Sequence, residues 1–509
     1  MTQPLPYYDM LVLGSGFSGS LLAWILASCG RRVLLVDRQR HPRFAIGESS
    51  TPTADFLLAY VAERWGLKAL APLATWGSWK QQYPDVICGK KRGFSYYRHH
   101  PGRPFQDDVT HENSLLVAAS SEDRWSDTHW LRSSVDHFLV QQAVAAGVEL
   151  WEEHELAAAR FDRHEARWEV TLTMAGRDRQ GDTTTRLRTA WMIDATGAAN
   201  ALAKWVHLGV DDQWMHTRTR ATFGHFIDVA PFTVGRAEDD PFCGDDAAQH
   251  HVLDEGWCWM LRMDNGVTSV GLVEPCGNQP PAATLVERLE NYPSLAQLLA
   301  RATCVAPSRG LVQTGRLSRC RPQAVGPGWV LLPVSYGFVD PLHSTGIAHA
   351  LSGVVRVAEA LLDRSDLGIE RLRRYGDDLR QEIAWLDLLV AGCYAGQPSF
   401  QRFCAFACFY FVAAMAFEQQ LAADPSRWPL GFLQTHDRSL RDAANEAWAL
   451  QGQLKNVFHP SADLTMTEKV RDCLAPWNRV QLLNPKVANR IAHSAAPKFA
   501  TWKTQGASG

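Results

Sequence analysis

The clearest pattern of hydrophobic and polar positions lies in the first forty residues of the chain. It predicts an apolar strand over residues 9–13, an apolar helix over 21–29 that ends before Gly30, and a second strand over 33–36. A strand, a helix and a second strand at this spacing form one βαβ unit. The chain is therefore predicted to begin as an α/β fold.

After the βαβ unit, the pattern predicts first a polar stretch, then a region of strands and finally a mainly helical region. Residues 101–127 are polar and rich in Pro, Asp and Ser, which predicts a long excursion. A helix is predicted over 134–146, followed by alternating segments typical of a largely antiparallel sheet: 168–174, 186–193, 222–229, 257–263 and 267–273. An apolar helix is predicted over 346–362, and the pattern after it is mainly helical.

Composition narrows the class of protein. The 509 residues are 46% hydrophobic and 21% charged, and the net charge of −3 provides no broad positive field for nucleic acid. The 11 cysteines contain no CxxC pair, which indicates a reducing cytoplasm and neither a disulfide framework nor a metal site. The N-terminus lacks a basic leader pattern, and the longest apolar run, residues 404–417, is too short for a membrane span. We therefore expect a buried helix there and no membrane partner.

A glycine-rich turn follows the first predicted strand. GSGFSG spans residues 14–19, and Asp37 closes the next strand 18 residues later. The glycines permit a tight turn and close approach of a pyrophosphate, the helix N-terminus offers positive potential, and the carboxylate accepts hydrogen bonds from ribose. This arrangement predicts a dinucleotide site, and from this segment alone both NAD and FAD remain open.

Three further segments resemble flavin-dependent halogenases and related monooxygenases. They are RFAIGESSTP at 43–52, LRSSVDHFL with its Arg132, and IDATG at 193–197. The resemblance implies FAD, used as FADH2, in a Rossmann-type FAD-binding domain. The residues it implies at the cofactor are Gly14, Gly16, Phe17, Ser18, Gly19, Asp37, Gly47, Glu48, Ser49, Arg132, Asp194, Gly197, Asp340 and Ile347.

The segment GFVDPLHSTGI, residues 337–347, leads into the helix predicted from 346. It resembles the PLxSTGI segment of tryptophan halogenases, whose Thr and Gly bind chloride beside the flavin. The resemblance implies that Thr345 and Gly346 hold a halide ion, chloride or bromide, at a helix N-terminus. The alternative is a helix start that only contacts flavin.

A basic segment, CGKKRGFSYY at 88–97, resembles the part of phenol halogenases in which a lysine stands two residues before Gly-Phe. The resemblance implies that Lys91 is catalytic, while Lys90 and Arg92 are exposed neighbours. An enclosed ammonium group can donate a hydrogen bond to hypohalous acid or be halogenated itself. The alternative is a solvated basic turn.

Aromatic residues are implied for the substrate pocket, namely Phe94, Trp257 and Trp259. GWCWMLR, residues 256–262, resembles the WxWxIP signature of the halogenases, although Arg262 replaces its Pro. In a strand, Trp257 and Trp259 point to one face and form an aromatic wall, or they simply pack the core.

His343 is a second candidate catalytic residue. It stands where tryptophan halogenases have Glu and phenol halogenases usually have Phe. An imidazole with an ordinary pKa of about 6.5 can accept the proton of a phenol near neutrality. The alternative is a histidine that packs like Phe.

The sequence thus predicts a Rossmann-type FAD-binding domain (residues 1–100, 130–200 and 305–365) interleaved with a mostly antiparallel substrate-side domain (101–129 and 201–304). A helical C-terminal region, 366–509, covers the substrate site. The expected reaction is FADH2- and O2-dependent halogenation of a phenolic small molecule by hypohalous acid. A separate NAD(P)H flavin reductase and a homodimer are expected, with no metal. The alternatives are an FAD-dependent aromatic hydroxylase, a flavin-dependent dehydrogenase and a catalytically silent flavoprotein.

Overall fold

The strands and helices below belong to a computed structural model that describes residues 5–174, 184–233, 240–277, 284–457, 459–492 and 494–495. Parts of the predicted substrate-side and C-terminal segments lie outside these residues. The described strands, in chain order, are β1 (Tyr7–Leu13), β2 (Val33–Val36), β3 (Cys88–Lys91), β4 (Gly93–Arg98), β5 (Ser114–Ala118), β6 (Asp127–Trp130), β7 (Glu149–Trp151), β8 (His154–Asp162), β9 (Arg167–Met174), β10 (Thr185–Asp194), β11 (Thr219–Ile227), β12 (Ala248–Val252), β13 (Trp257–Arg262), β14 (Thr268–Pro275), β15 (Thr303–Ala306), β16 (Val312–Gln313), β17 (Arg319–Cys320), β18 (Val325–Gly326), β19 (Trp329–Leu331), β20 (Gly337–Phe338) and β21 (Arg490–Ile491).

The helices begin directly after β1 and dominate the last third of the chain. The described α-helices are α1 (Phe17–Ser28), α2 (Pro52–Arg64), α3 (Trp76–Gln82), α4 (Arg132–Ala145), α5 (Leu285–Glu290), α6 (Pro293–Leu299), α7 (Pro333–Tyr336), α8 (Gly346–Leu362), α9 (Leu367–Gly396), α10 (Phe400–Ala423), α11 (Arg438–Gln453) and α12 (Pro460–Leu474).

The first sheet is the Rossmann-like half of the molecule. Its strand order is β18-β19-β10-β1-β2-β7, and β1 pairs in parallel with both β2 and β10. The predicted βαβ unit is confirmed, because β1, α1 and β2 follow one another at the expected positions. Buried apolar strands need cover on both faces, and α1 packs against α4 and α8 on one side. The glycine-rich turn follows the carboxyl end of β1, and because β1 and β2 are parallel, the carboxyl end of β2 lies at the same edge of the sheet.

Two predicted strands belong to this first sheet rather than to the second. The segments 168–174 and 186–193 correspond to β9 and β10, which pair antiparallel as expected. β10 also pairs in parallel with β1, so the hairpin extends the Rossmann-like sheet. Alternation predicts antiparallel pairing but carries no information about which sheet a hairpin joins.

The second sheet is the larger one and contains β11 to β14, which the sequence predicts for the substrate side. Its order is β15-β11-β14-β13-β12-β4-β5-β21, with β16 paired to β11. The segment 101–127, expected to be a polar excursion, contains the fully buried strand β5, which pairs with β4. The prediction was wrong there because the four apolar residues of β5, at 115–118, are surrounded by polar turns. The predicted division into domains stays a prediction.

The C-terminal helices pack against both sheets. The apolar helix α10 is 24 residues long and is, by length and composition alone, long and apolar enough to cross a membrane. The expectation from the sequence rests only on its 14-residue apolar run, which is too short. However, 89% of its most apolar window is buried inside the protein, against α9, α12 and α2. The expectation of a buried helix is therefore met for a different reason, namely packing rather than length. The fold is α/β with mixed sheets and a helical C-terminal region.

Candidate functional site

The glycine-rich turn forms a cradle at the N-terminus of α1. Gly14 adopts φ +95°, and a Cβ on it would lie 2.7 Å from the carbonyl oxygen of Ala195. A Cβ on Gly19 would lie 2.0 Å from the carbonyl oxygen of Gly14. Gly14 and Gly19 therefore allow the turn to pack on itself and on the segment after β10.

Gly16 and Ser18 face the open side of the cradle. Both are half-buried, while the Phe17 side chain between them packs inward against Trp130. A Cβ on Gly16 would lie 3.5 Å from an Arg132 guanidinium nitrogen and 3.7 Å from one of Arg43. No side chain caps the first turn of α1, so its backbone N–H groups remain available. A free helix N-terminus beside two guanidinium groups fits a pyrophosphate.

Arg43 was not among the predicted site residues. Its guanidinium lies 3.1 Å from Asp37 and 4.0 Å from Asp136, and its buried Nε atom has no hydrogen-bond partner among the described residues. An unpaired cationic N–H group is a second feature that fits an anionic group of the cofactor. The residue stands in the RFAIGESSTP segment, where the sequence signal drew attention to the glycine and glutamate instead.

Asp37 follows β2 and is 7% exposed. Its carboxylate accepts hydrogen bonds from the Ser15 backbone and hydroxyl, both at 2.8 Å. Burial opposes ionisation of Asp37, but Arg43 and the backbone N–H groups of Gln39 and Ser15 outweigh it and lower its pKa. The predicted ribose-binding carboxylate is thus ionised at the edge of the cradle.

The GES-type loop connects the cradle to the substrate-side sheet. Arg132 is held by Asp136 at 2.8 Å and donates to the carbonyl oxygens of Ile46 at 2.6 Å and of Gly47 at 3.1 Å. Ser49 forms an isolated bridge with His129 of β6. These contacts fix the loop against α4 and β6.

The Glu48 side chain turns toward the second sheet instead of the cradle. It is 3% exposed, its Oε1 lies 2.6 Å from His225 Nε2, and its Oε2 accepts from Ser269 at 2.7 Å. Ser269 in turn accepts from Trp259 Nε1 at 3.1 Å. Glu48 therefore anchors the base of the aromatic wall.

The IDATG turn is held together by hydrogen bonds from its own backbone to Asp194. Asp194 accepts from the backbone N–H groups of Thr196 at 2.8 Å and Leu202 at 2.9 Å. Gly197, at φ +60°, donates its N–H to Ser335 Oγ at 2.9 Å. In this structure, Asp194 shapes the turn that packs on Gly14.

A small pocket opens at the start of α8. Its walls come from the segment before α8, from α8 itself and from α9, and Thr345 and Gly346 lie on its lining. Thr345 is the N-cap residue of α8, and both residues are half-buried, while Ile347 behind them is buried. The two predicted halide-binding residues thus share an accessible helix N-terminus.

Asp340 holds the loop that leads into α8. Its carboxylate accepts from Thr219 Oγ1 at 2.5 Å, from Tyr394 OH at 3.0 Å and from the Leu342 backbone at 3.0 Å. Burial raises its pKa to about 6, against the effect of these hydrogen bonds. The Tyr394 hydroxyl accepts from Trp257 Nε1 at 2.8 Å, so a chain of hydrogen bonds joins the aromatic wall to this loop.

Lys91 and Lys90 lie in opposite environments. The Lys91 side chain is 0% exposed, and its Nζ donates to the Ser50 carbonyl at 2.5 Å and lies 4.0 Å from the Phe94 ring centroid. Lys90 pairs with Asp123 and Asp246 near the surface, at 2.7 and 3.1 Å. Lys91 is therefore the more deeply buried lysine, whereas Lys90 and Arg92, which were expected to be exposed, are half-buried.

Aromatic rings connect Lys91 to His343. Phe94 packs against Tyr410 with ring centroids 5.8 Å apart, and Tyr410 stacks on His343 at 4.5 Å. Trp257 and Trp259 are both buried, with centroids 6.1 Å apart, and form the predicted wall. Tyr394 and Tyr410 were missed, because both stand in helices whose sequence carries only an apolar pattern.

Three buried imidazoles line this aromatic region. Burial lowers the pKa of His129 and of His343 to about 3 and that of His250 to about 4. The Lys91 ammonium adds to the shift at His129 and His250, while the Leu389 carbonyl opposes it at His343. The rings are therefore neutral near pH 7, and His343 does not change charge there as the hypothesis of a titrating base requires.

The described residues contain neither a disulfide bond nor a cluster of potential metal ligands. All eleven cysteines lie in the described part of the chain and are free thiols. Among the described residues, no group of His, Cys, Asp and Glu is arranged to hold a metal ion.

Comparison with known proteins gives a consistent set of matches. The family model described as tryptophan halogenase matches residues 128–395, and the NAD(P)-binding Rossmann-like domain model matches residues 12–66. The chain is 29% identical to the monodechloroaminopyrrolnitrin halogenase PrnC of Pseudomonas fluorescens, over 80% of this chain and 72% of that protein. It is 26% identical to tetracycline 7-halogenase of Kitasatospora aureofaciens, over 75% of this chain and 69% of that protein.

A solved structure shares the whole fold. The crystal structure of halogenase PltM in complex with phloroglucinol and FAD matches with a TM-score of 0.83 and 21% sequence identity. The match covers 96% of this chain and 100% of PltM. The C-terminal helices are therefore part of the shared architecture.

Proposed function

The chain belongs to the tryptophan halogenase family, whose model spans more than half of it, and from this premise we propose its substrate class and catalytic residues. It is a flavin-dependent halogenase. We propose that it halogenates an electron-rich, phenolic small molecule through hypohalous acid, with Lys91 as the catalytic residue. The observation that carries this proposal is the Lys91 ammonium, 0% exposed and 4.0 Å from the Phe94 ring centroid.

The cradle suits FAD. The N-terminus of α1, Arg132 and the unpaired Nε of Arg43 would bind the pyrophosphate, and ionised Asp37 would bind the adenosine ribose. When bound in its reduced form, FAD would give two electrons to oxygen, which takes the other two that it needs from the halide ion. Every other task falls to the residues of this chain.

Halide binding falls to the N-terminus of α8. Thr345 and Gly346 line the pocket there, and the unsatisfied N–H groups of a helix N-terminus attract an anion. The alternative, a helix start that only contacts flavin, requires no halide affinity. The family membership favours halide binding.

Lys91 would orient the electrophile. Its ammonium donates a hydrogen bond to the oxygen of hypohalous acid, which makes that oxygen a better leaving group as the halogen transfers to the ring. The Phe94 ring lies beside the Lys91 ammonium and Tyr410 packs against Phe94, so these rings would exclude water, which would otherwise release the acid. An aromatic substrate fits such walls, because it can stack between them.

The reductant would come from a separate NAD(P)H flavin reductase. The glycine-rich fingerprint occurs once, at residues 14–19, and we assign it to FAD. Homodimerisation and a cytoplasmic location are further parts of the proposal. The aromatic hydroxylase is disfavoured, because the homologous proteins are halogenases.

The experiment that tests the function is halogenation of a phenol panel with FAD, a flavin reductase, NADH and bromide, followed by mass spectrometry. The wild type should give brominated products, and Lys91→Met should lose at least about 100-fold of that activity, because the electrophile is no longer oriented. Reduced flavin should still be oxidised by oxygen, with release of hydrogen peroxide.

Lys90→Met is the matched control. It removes the neighbouring charge of the same strand, which pairs with Asp123 and Asp246 near the surface, and should retain most of the bromination. Equal activity of the two variants would contradict the role of Lys91. A product hydroxylated without bromide would favour the hydroxylase.

A further inference from the structure

His349 is a buried histidine of the pocket that the proposed function does not use. It stands one turn into α8, where its backbone N–H donates to the Thr345 carbonyl at 2.9 Å. Its side chain is 5% exposed and lines the same pocket as Thr345 and Gly346. The ring is therefore a neighbour of the proposed halide position.

One nitrogen of His349 is fixed by a hydrogen bond. Nε2 lies 2.9 Å from Oε2 of Glu382 on α9, and Glu382 accepts two hydrogen bonds from Arg356, at 2.8 and 2.9 Å. Burial raises the pKa of Glu382, but Arg356 and His349 outweigh it and lower that pKa to about 2. The carboxylate is ionised and only accepts, so Nε2 carries the hydrogen.

Within the described part of the chain, the hydrogen bond from Nε2 to Glu382 is the only one that the His349 ring makes, so Nδ1 is not bonded to a described residue. In the neutral ring, this nitrogen presents a lone pair, which repels an anion, whereas a proton on it makes a charge-assisted donor. The neutral ring therefore repels a halide ion, and the ring protonated on Nδ1 binds one.

We propose that His349 is a halide ligand that takes up a proton as the halide binds, with Glu382 and Arg356 as positioning residues. The proposal rests on the proposed function, which puts the halide at Thr345 and Gly346. Replacing an aromatic hydrogen by halogen with reduced FAD and oxygen consumes one halide ion and one proton and yields two waters. Joint uptake of both ions therefore matches the stoichiometry of the reaction.

Several other charged or titratable groups surround His349. On its own helix and on α9 these are Arg356, Glu382 and Asp378, which lies 4.0 Å from Arg356. Asp378 also lies 3.4 Å from His436, while the ring beside His349 is that of Phe432, at 4.9 Å.

Two groups on the loop before α8 share the pocket. His343 stays neutral, because burial lowers its pKa to about 3. Asp340 is the competitor, since its carboxyl group, with a pKa raised to about 6, can also take up a proton when an anion enters. The test must separate Asp340 from His349.

The test is bromide titration of the FAD-loaded protein, followed by flavin fluorescence, between about pH 6 and about pH 8.5. The apparent bromide affinity of the wild type should strengthen as the pH falls. His349→Gln, which keeps a donor for Glu382, should bind bromide roughly tenfold more weakly at the acidic end and lose most of the pH dependence. Asp340→Asn should keep that dependence, as should the control His100→Gln, an exposed histidine after β4.

The outcomes separate the two proposals. A wild type that binds no bromide at any pH would contradict the halide site and with it the role of His349. Bromide binding without pH dependence, or a dependence that survives in His349→Gln and disappears in Asp340→Asn, would overturn the role of His349 alone. His349→Asn provides a smaller replacement, and thermal unfolding shows which variants are folded.

Discussion

The cofactor cradle differs in its charge balance from the cluster of rings around Lys91, which consists of Phe94, Tyr410 and His343 and is called the aromatic pocket below. In the cradle, Arg43 pairs with Asp37 and Arg132 with Asp136, so buried charges are neutralised in pairs. In the aromatic pocket, the ionisable side chain of His343 lies among rings, and burial lowers its pKa to about 3. A charged cofactor needs the first environment, while a neutral electrophile and an aromatic ring need the second.

Lys91 is the exception in this pocket, and we propose that it carries the chemistry there. It brings an amino group to an apolar region in which two neighbouring imidazoles, His129 and His250, remain neutral near pH 7. A hydrogen-bond donor is more effective in a low-dielectric site than in water. The contrast between the regions therefore favours Lys91 over the half-buried Lys90 as the catalytic residue that we propose.

The largest expected effect tests the cradle. Gly19→Ala would put a Cβ 2.0 Å from the Gly14 carbonyl oxygen, and that backbone cannot move without opening the turn. We expect loss of FAD binding in a fluorescence titration, together with a lower thermal unfolding temperature. The aromatic pocket should be affected only through the missing cofactor.

Gly209→Ala is the control for this substitution. No atom lies within 4 Å of the Cβ it would create, and the position does not require a positive φ. FAD affinity and unfolding temperature should match the wild type. If Gly19→Ala bound FAD normally, the glycine-rich turn would not be the tight cradle described above.

The two regions also differ in how far the sequence predicts them. Most of the cradle forms within residues 7–37, so its strand, turn, helix and carboxylate follow one another in the chain in the order that the sequence predicts. Arg43 and Arg132 join it from later segments. Gly14 and Gly19 are required by contacts of the turn itself and of the IDATG segment. The orientation of Glu48 was not predictable, because its partners His225 and Ser269 come from the second sheet.

The aromatic pocket is assembled from distant segments. Lys91 could be assigned from a local motif, but Tyr394 and Tyr410 come from α9 and α10, about 300 residues further along the chain. Their helices show apolar periodicity, which predicts burial without naming the face that meets β4. The pairing of His349 with Glu382 is likewise a long-range contact that no motif signals.

The next effect concerns Asp340 and the stability of the pocket loop. Its folded-state pKa is raised from 3.8 to about 6, so the folded protein holds a proton that the unfolded chain releases earlier. Stability from this group is present at acidic pH and is lost as the pH rises through about 6. Between about pH 4.5 and pH 7 the loss amounts to about 2 kcal/mol.

Urea unfolding of the wild type and of Asp340→Asn at these two pH values checks this prediction. The difference in unfolding free energy between the two proteins should shift by about 2 kcal/mol in favour of the variant as the pH rises. Other titrating groups cancel in this comparison, because both proteins contain them. A difference independent of pH would mean that Asp340 ionises normally and that the loop is more hydrated than its burial indicates.

The smallest effect is expected for His343→Phe. The imidazole stacks on Tyr410 at 4.5 Å with an interplanar angle of 8°, and a phenyl ring can occupy the same position. Because the pKa of His343 is about 3, the ring is already neutral at the pH of the reaction and is a poor proton acceptor. We expect kcat/KM for bromination to change by less than about twofold.

The pH profile of kcat/KM decides between packing and base catalysis at this position. A packing role leaves the acidic limb of the profile unchanged in His343→Phe, since a group with a pKa of about 3 contributes no limb near neutrality. A large loss of rate together with a displaced acidic limb would show that substrate binding restores the basicity of the ring. That result would also break the contrast between the two regions, because a histidine of the aromatic pocket would then carry charge during the reaction.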